Sequence, residues 1–125
     1  MTNSHVSHTS RCAIFFLAAF VVMATVPLLS NARLSTSVNI VNNSNREISH
    51  VYLSNVDSND WSGNQLGDSV IAPGQSYSLS NVACDQQQVK VIGEDQDGCF
   101  VTTVVSCGES STWTVTNDTS RNCGN

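Results

Sequence analysis

The chain has 125 residues and a formal net charge of −5 at pH 7, with ten acidic and five basic residues. So few basic residues form no patch of the kind that binds nucleic acid, and an anionic membrane surface would repel the chain. A chain of this length has room for one domain and no more.

The first 32 residues have the pattern of a signal peptide. A polar segment with Arg11 precedes the uncharged apolar run 13–29, and Ser30 and Ala32 place small residues at the −3 and −1 positions of a cleavage site. We expect residues 1–32 to be removed and residues 33–125 to act as one secreted domain, extracellular or periplasmic. Its four basic and ten acidic residues give it a charge of −6. The alternative is a retained N-terminal anchor.

Short alternating runs and the absence of a helical stripe of ten or more residues predict an all-β fold, a small antiparallel β-sandwich of about seven strands. The predicted strands are 37–41, 47–54, 70–71, 76–80, 89–92, 99–105 and 111–116. The apolar pattern changes parity at His50, which predicts a β-bulge there. Strand 99–105 is apolar or Thr on both faces and is expected to be central, and Trp113 is expected in the core.

Four cysteines remain after cleavage, namely Cys84, Cys99, Cys107 and Cys123. An even number in an exported chain predicts two disulfides, each contributing about 2–4 kcal/mol. Zinc is the alternative, but there is no C-x-x-C pair and only one histidine in the secreted part.

The pairing of the cysteines follows from a predicted hairpin that turns between Asp95 and Gln96. In that register the numbers of opposing residues add to 191, so that Val89 faces Thr102 and Cys84 faces Cys107.

This register predicts a Cys84–Cys107 disulfide and leaves Cys99–Cys123. Pairing of the last strand with the strand of Cys99 would bring Cys123 close to it.

A long loop, 55–68, separates two strands and is expected to be either functional or locally packed. We predict that it binds a protein or a carbohydrate, with Trp61 as a recognition aromatic. The candidate binding residues are Asp57, Asn59, Asp60, Trp61 and Leu66. For Trp61 and Leu66 we favour the other interpretation, in which they fold back as a lid over one end of the core, because Leu66-Gly67 leads straight back into a strand.

Calcium is a further hypothesis, and no other cofactor is expected. Asp57, Asp60, Asp95 and Asp97 supply hard oxygen ligands on flexible segments. Neither segment fits an EF-hand loop, and aspartate is also common in turns because it hydrogen-bonds locally.

We expect no enzymatic activity. His50 lies within a strand pattern, there is no G-x-S-x-G motif, and oxidised cysteines are not nucleophiles. Two N-x-S/T sequons, at Asn42 and Asn117, would be glycosylated only in a eukaryotic secretory pathway.

Several segments together resemble a group of small exported bacterial β-sandwich proteins of unknown function. They are VNIVNNS (38–44), ISHVYLS (48–54), Trp61, Leu66-Gly67, IAPG (71–74), Cys84-Asp85 and Cys107. The resemblance spans nearly the whole secreted part, supports the Cys84–Cys107 pairing and carries over no catalytic residue.

These observations favour a monomeric, non-enzymatic binding domain. One alternative is a secreted inhibitor or immunity-type protein that blocks an enzyme, whose basic cleft the acidic surface would complement. The other is a calcium-dependent binding module.

Overall fold

The computed structural model describes residues 33–124, so the signal-peptide prediction for residues 1–32 lies outside the described residues. Within them the fold is all-β, as predicted. The strands are β1 (Leu34–Asn43), β2 (Ile48–Ser54), β3 (Ser76–Cys84), β4 (Gln88–Asp95), β5 (Phe100–Ser106) and β6 (Ser110–Thr116). No helix long and apolar enough to cross a membrane occurs in this part of the chain.

Six strands form instead of about seven. The predicted strand 70–71 is only an isolated bridge, in which Ile71 pairs with Ile48. The segment is too short to form a ladder, because Pro73 follows after a single residue, Ala72, and its ring fixes the backbone in a turn.

The strands form two three-stranded sheets. The first sheet has the order β3-β1-β6 and the second the order β2-β4-β5. The second sheet is antiparallel throughout, but β1 runs parallel to β6 in the first sheet. The predicted β-sandwich is therefore confirmed, with one parallel pair among otherwise antiparallel neighbours.

The core lies between the two sheets and is built from the inward-facing residues of both. Val38 and Ile40 of β1 and Val51 and Val91 of the second sheet are fully buried. Trp113 of β6 belongs to the same cluster, which confirms its prediction as a core residue.

The bulge predicted at His50 is confirmed. The register of the β2–β4 pair shifts between Ile48 and His50. An extra residue in one strand reverses the side-chain alternation beyond it. As a result Ile48 and Val51 are both buried in the core, while His50 and Tyr52 lie on the outer face of the second sheet.

The predicted register of the β4–β5 hairpin is wrong by three residues. Val89 pairs with Val105, not with Thr102. The turn consists of three residues ending in Gly98, whose φ is +76°. A three-residue hairpin loop places its last residue in the left-handed region, and glycine fits there without strain. This requirement moves the turn from Asp95-Gln96 toward Gly98.

The Cys84–Cys107 disulfide is confirmed, but not by the predicted geometry. Cys84 ends β3 in the first sheet, whereas Cys107 follows β5 in the second. The bond therefore connects the two sheets and does not join opposed residues of one hairpin.

The Cys99–Cys123 disulfide is confirmed as well, again by a different route. β6 pairs with β1, and the segment after β6 returns to the second sheet, where Asn122 forms an isolated bridge with Phe100. β5 is consequently an edge strand of the second sheet, and β4 is the central one. The prediction of a central strand 99–105 is wrong.

Candidate functional site

The loop 55–68, here called the strap, runs along the free edge of β2. Ser62 donates its backbone N–H to Leu53 O over 2.8 Å, and Gln65 donates to Val51 O over 2.7 Å. Ser62 Oγ accepts the N–H of Leu53 at 2.9 Å. These bonds satisfy the open edge of the strand, which would otherwise be available for pairing with another chain.

Leu66 anchors the strap in the core. Its side chain is only 3% exposed and belongs to the buried cluster. Asn64 Oδ1 accepts the backbone N–H groups of Val51 and Leu66, which fixes the local turn. Leu66 therefore is not available to a partner in this structure, and its prediction as a binding residue gives way to the packed alternative.

The first half of the strap is held over the outer face of the second sheet. Lys90 Nζ donates to Ser58 O at 2.9 Å, and Ser54 Oγ donates to the same oxygen at 3.0 Å. Three of the predicted binding residues lie in this half and are solvent-exposed, namely Asp57, Asn59 and Asp60. The strap is thus locally packed and also presents exposed polar groups.

Trp61 lies on the outer face of the second sheet and is 44% exposed. Its ring centroid lies 5.4 Å from that of Tyr52 and 5.0 Å from that of Phe100. Because these two residues stand on β2 and β5, the indole lies above β4. This position accounts for the burial of Ile92, which is outside the core between the sheets. Trp61 is not a lid over one end of the core.

A bulge in β3 faces the strap. The register of the β1–β3 pair shifts after Thr36, so that Ser80 and Asn81 oppose a single residue of β1. Asn81 has a φ of +56°. Asparagine tolerates this left-handed conformation better than most residues. Bulges of this kind redirect side chains and are frequent beside binding sites.

A surface groove of about 460 Å³ lies between the strap and the β3 bulge. This volume is within the range of small-molecule sites. Polar residues of the two elements border it. From the strap these include Asn55, Asp60 and Trp61, and from β3 and the residues that follow it Ser80, Asn81 and Asp85. The groove joins residues predicted from the loop with residues of β3 that the sequence gave no reason to select.

The charge in the groove is acidic. Asp60 lies on the strap side and Asp85 on the β3 side, and no lysine or arginine is among the described residues that line it. Arg33 approaches Asp85 only at 3.9 Å, and both side chains are largely exposed. The groove therefore offers carboxylates, amides and hydroxyls to a ligand.

Asp95 is a structural centre. It is 5% exposed, and Oδ1 accepts the backbone N–H groups of Asp97 and Cys99. Oδ2 accepts Arg121 Nη1 at 2.9 Å and lies 3.5 Å from Arg46 Nε. Burial alone would raise the pKa of Asp95. The hydrogen bonds and the charge of Arg121 have the larger effect, so the pKa is lowered from its ordinary value.

Calcium finds no support in this arrangement. The guanidinium groups of Arg46 and Arg121 occupy the position that a cation would need at Asp95. Within residues 33–124 no group of three or more His, Cys, Asp or Glu side chains is placed to hold a metal ion. Calcium requires six to eight oxygen ligands.

A second polar cluster, which sequence reasoning missed, lies beside Trp61. Tyr52 donates its hydroxyl to Glu94 Oε2 at 2.8 Å, and His50 Nδ1 lies 3.3 Å from the same oxygen. Burial raises the pKa of Tyr52, as do the hydrogen bond and the charge of Glu94. The apolar pattern that predicts the bulge could also have predicted that His50 and Tyr52 share one face. It could not have predicted that β2 pairs with β4 and so places Glu94 beside them.

The two sequons differ in accessibility. Asn42 is fully buried and donates Nδ2 to Arg46 O and Ile71 O, while its Oδ1 accepts from Ser44. Asn117 is exposed. Only Asn117 could carry a glycan in this fold.

Comparison with known proteins adds no family. No protein-family model matches the chain, and no curated protein matches significantly. Among solved structures, one described as an NMR structure of a protein from Eubacterium rectale is 14% identical, with a TM-score of 0.47. The match covers 70% of this chain and 82% of that one.

Proposed function

We propose that residues 33–125 are a secreted, monomeric, non-enzymatic binding domain whose ligand occupies the groove between the strap and the β3 bulge. The observation that carries the proposal is the convergence of strap residues and β3 residues on one polar groove beside the half-exposed Trp61. The two sheets meet there, so the fold itself sets the shape of the site.

The two disulfides support action outside the cytoplasm, because such bonds form and persist in oxidising compartments. They also support a binding site that is rigid before the ligand arrives. One bond connects the sheets directly before Asp85, and the strap is fixed by its hydrogen bonds to β2. A preformed site loses little conformational entropy when a ligand binds.

The composition of the site supports a non-enzymatic role. His50 contacts a carboxylate, and among the described residues no serine, threonine or cysteine side chain is hydrogen-bonded to it. A nucleophile within hydrogen-bond reach of a base is the minimum arrangement for covalent catalysis.

The proposal is tested by affinity capture from the organism's own secretome and cell envelope with the immobilised protein. Asn81→Gly is the groove variant, because glycine adopts a positive φ without strain and only the amide is lost. Val104→Ser, at an exposed position of β5, is the matched control.

We expect the wild type and Val104→Ser to retain the same partner, and Asn81→Gly and Trp61→Ala to lose it while the melting temperature of Asn81→Gly stays nearly constant. Equal capture by all four proteins would overturn the proposal.

A further inference from the structure

We infer that the groove binds a neutral, hydroxyl-rich oligosaccharide. This inference rests on the proposed function and specifies its ligand class. It follows from three properties of the groove: planar polar groups on both walls, apolar surface among them, and an acidic charge without a basic residue.

The polar groups are of the type that recognises hydroxyls. The side chains of Asn55, Asp60 and Asn81 are planar, and each has two polar atoms that can engage neighbouring groups of a ligand. A pair of adjacent ring hydroxyls presents donors and acceptors at matching separation. The amides offer both a donor and an acceptor, whereas Asp60 only accepts.

The side-chain polar atoms of Asn55 and Asp60 are not used in the hydrogen bonds that hold the strap together. Asn55 contributes its backbone carbonyl, which accepts Ser54 Oγ at 3.0 Å. Asp60 contributes its backbone N–H, which Ser58 Oγ accepts at 3.0 Å. The local structure therefore uses their main-chain atoms and leaves the terminal groups for a ligand.

Apolar surface is present beside the polar groups. Trp61 borders the groove with nearly half of its surface exposed, and the partly buried Leu53 lines it, whereas Leu79 and Val82 form its floor as part of the buried core. A sugar ring has a C–H face as well as a hydroxyl rim. A groove wall with both apolar and polar surface therefore fits a sugar better than it fits a purely polar ligand such as an inorganic ion. Tryptophan combines a large apolar body with a polar N–H.

The charge selects against other ligand classes. Asp60 and Asp85 would repel phosphates, nucleic acids and acidic glycans. Of the four basic residues in the described part of the chain, Arg33 approaches Asp85 only at 3.9 Å from an exposed position, Lys90 binds Ser58 O, and Arg46 and Arg121 bind Asp95. Two carboxylates on opposite sides are too few ligands for calcium. A basic peptide is the rival that the experiment must separate.

The experiment is a calorimetric titration of the purified protein with three sets of probes. The first set contains neutral cello-, chito-, xylo- and manno-oligosaccharides, the second galacturonate oligomers, and the third oligolysine. Asn81→Gly and Asp60→Ala are the groove variants, and Val104→Ser is the control.

We expect at least one neutral series to bind saturably and the galacturonate oligomers not to bind. Each groove variant should lower the affinity roughly tenfold, the effect of about one lost hydrogen bond, and the control should leave it unchanged. The inference is overturned if no neutral series binds, if oligolysine alone binds, or if the groove variants bind as the wild type does.

The capture experiment separates this inference from the proposed function. If no oligosaccharide binds but capture of a partner still depends on Asn81, the inference fails and the binding function stands. If neither depends on Asn81, both fail.

Discussion

The indole of Trp113, on β6 of the first sheet, lies against Gly93 on β4 of the second. A Cβ atom at Gly93 would stand 3.5 Å from Trp113 Cη2 and 3.1 Å from Val101 Cγ2. The contact with Trp113 would be an ordinary van der Waals contact, whereas the contact with Val101 would be a tight one. The two sheets therefore approach each other closely at this point.

Gly93→Ala should destabilise the fold by about 1–3 kcal/mol, because the added methyl group would lie 3.1 Å from Val101 Cγ2, closer than an ordinary van der Waals contact. Chemical denaturation followed by tryptophan fluorescence measures the loss. Gly63→Ala is the control, since nothing lies within 4 Å of its added Cβ. A Gly93→Ala protein as stable as Gly63→Ala would contradict the packing described.

Asp95 should make the stability depend on acid pH. Its pKa is lowered in the folded state, because hydrogen bonds from Arg121 and from backbone amides outweigh burial, which acts in the opposite direction. A carboxylate of this kind stabilises the fold above its unfolded pKa, and the contribution is lost as the pH falls through the folded pKa. The loss should begin near the ordinary value of 3.8 and continue below it.

Asp95→Asn tests this directly in denaturation curves recorded over a pH series. The variant should lose about 2 kcal/mol at neutral pH, where a hydrogen bond to a charged group is removed, and should show a smaller further loss in acid. The exposed Asp118→Asn serves as control. An acid limb identical in Asp95→Asn and wild type would argue against Asp95 as its source.

Asn42→Asp should cost about 3 kcal/mol, since it places a carboxylate where two backbone carbonyls require donors. Asn43→Asp, one residue later and exposed, should be nearly neutral. The difference between the two melting temperatures measures the effect. Similar losses in both variants would show that Asn42 is not the buried hydrogen-bonding centre described.

Each disulfide should contribute about 3 kcal/mol, because each closes a loop of similar length in the unfolded chain, with sequence separations of 23 and 24. Replacing either cysteine pair by serine and measuring the free energy of unfolding tests this. Peptide mapping of the oxidised protein should return Cys84–Cys107 and Cys99–Cys123. Any crossed pair would contradict the topology.

The strands and the cysteine pairs could be predicted from the sequence, but the arrangement of the strands could not. Alternation identifies which residues of β1, β2 and β6 face inward, because burial of one face leaves a period of two. It does not say which strands are neighbours. The parallel pairing of β1 with β6 depends on contacts distant in sequence, so the disulfides were predicted correctly through a hairpin register that does not exist.

Only one wall of the groove, the strap, could be predicted from the sequence. Composition and length drew attention to the strap and to Trp61, since polar loops of that length are unusual in a small domain. The other wall, with Asn81, follows from a bulge opposite β1, and nothing in the local sequence of β3 indicates which strand it pairs with. Leu66 had two interpretations, because an apolar residue in a loop can be an anchor or a contact, and its burial selects the anchor.

The central claim is that the groove between the strap and the β3 bulge is the binding surface. An amide chemical-shift map of the nitrogen-labelled protein, titrated with whichever neutral oligosaccharide series binds, tests it most directly. We predict that the shifts concentrate at Ser62, Asn81 and Asp85 and that Asn81→Gly makes them smaller at equal ligand concentration, as a roughly tenfold lower affinity requires. Shifts confined to the opposite end of the sandwich, around Asn45 and Asn117, would contradict it.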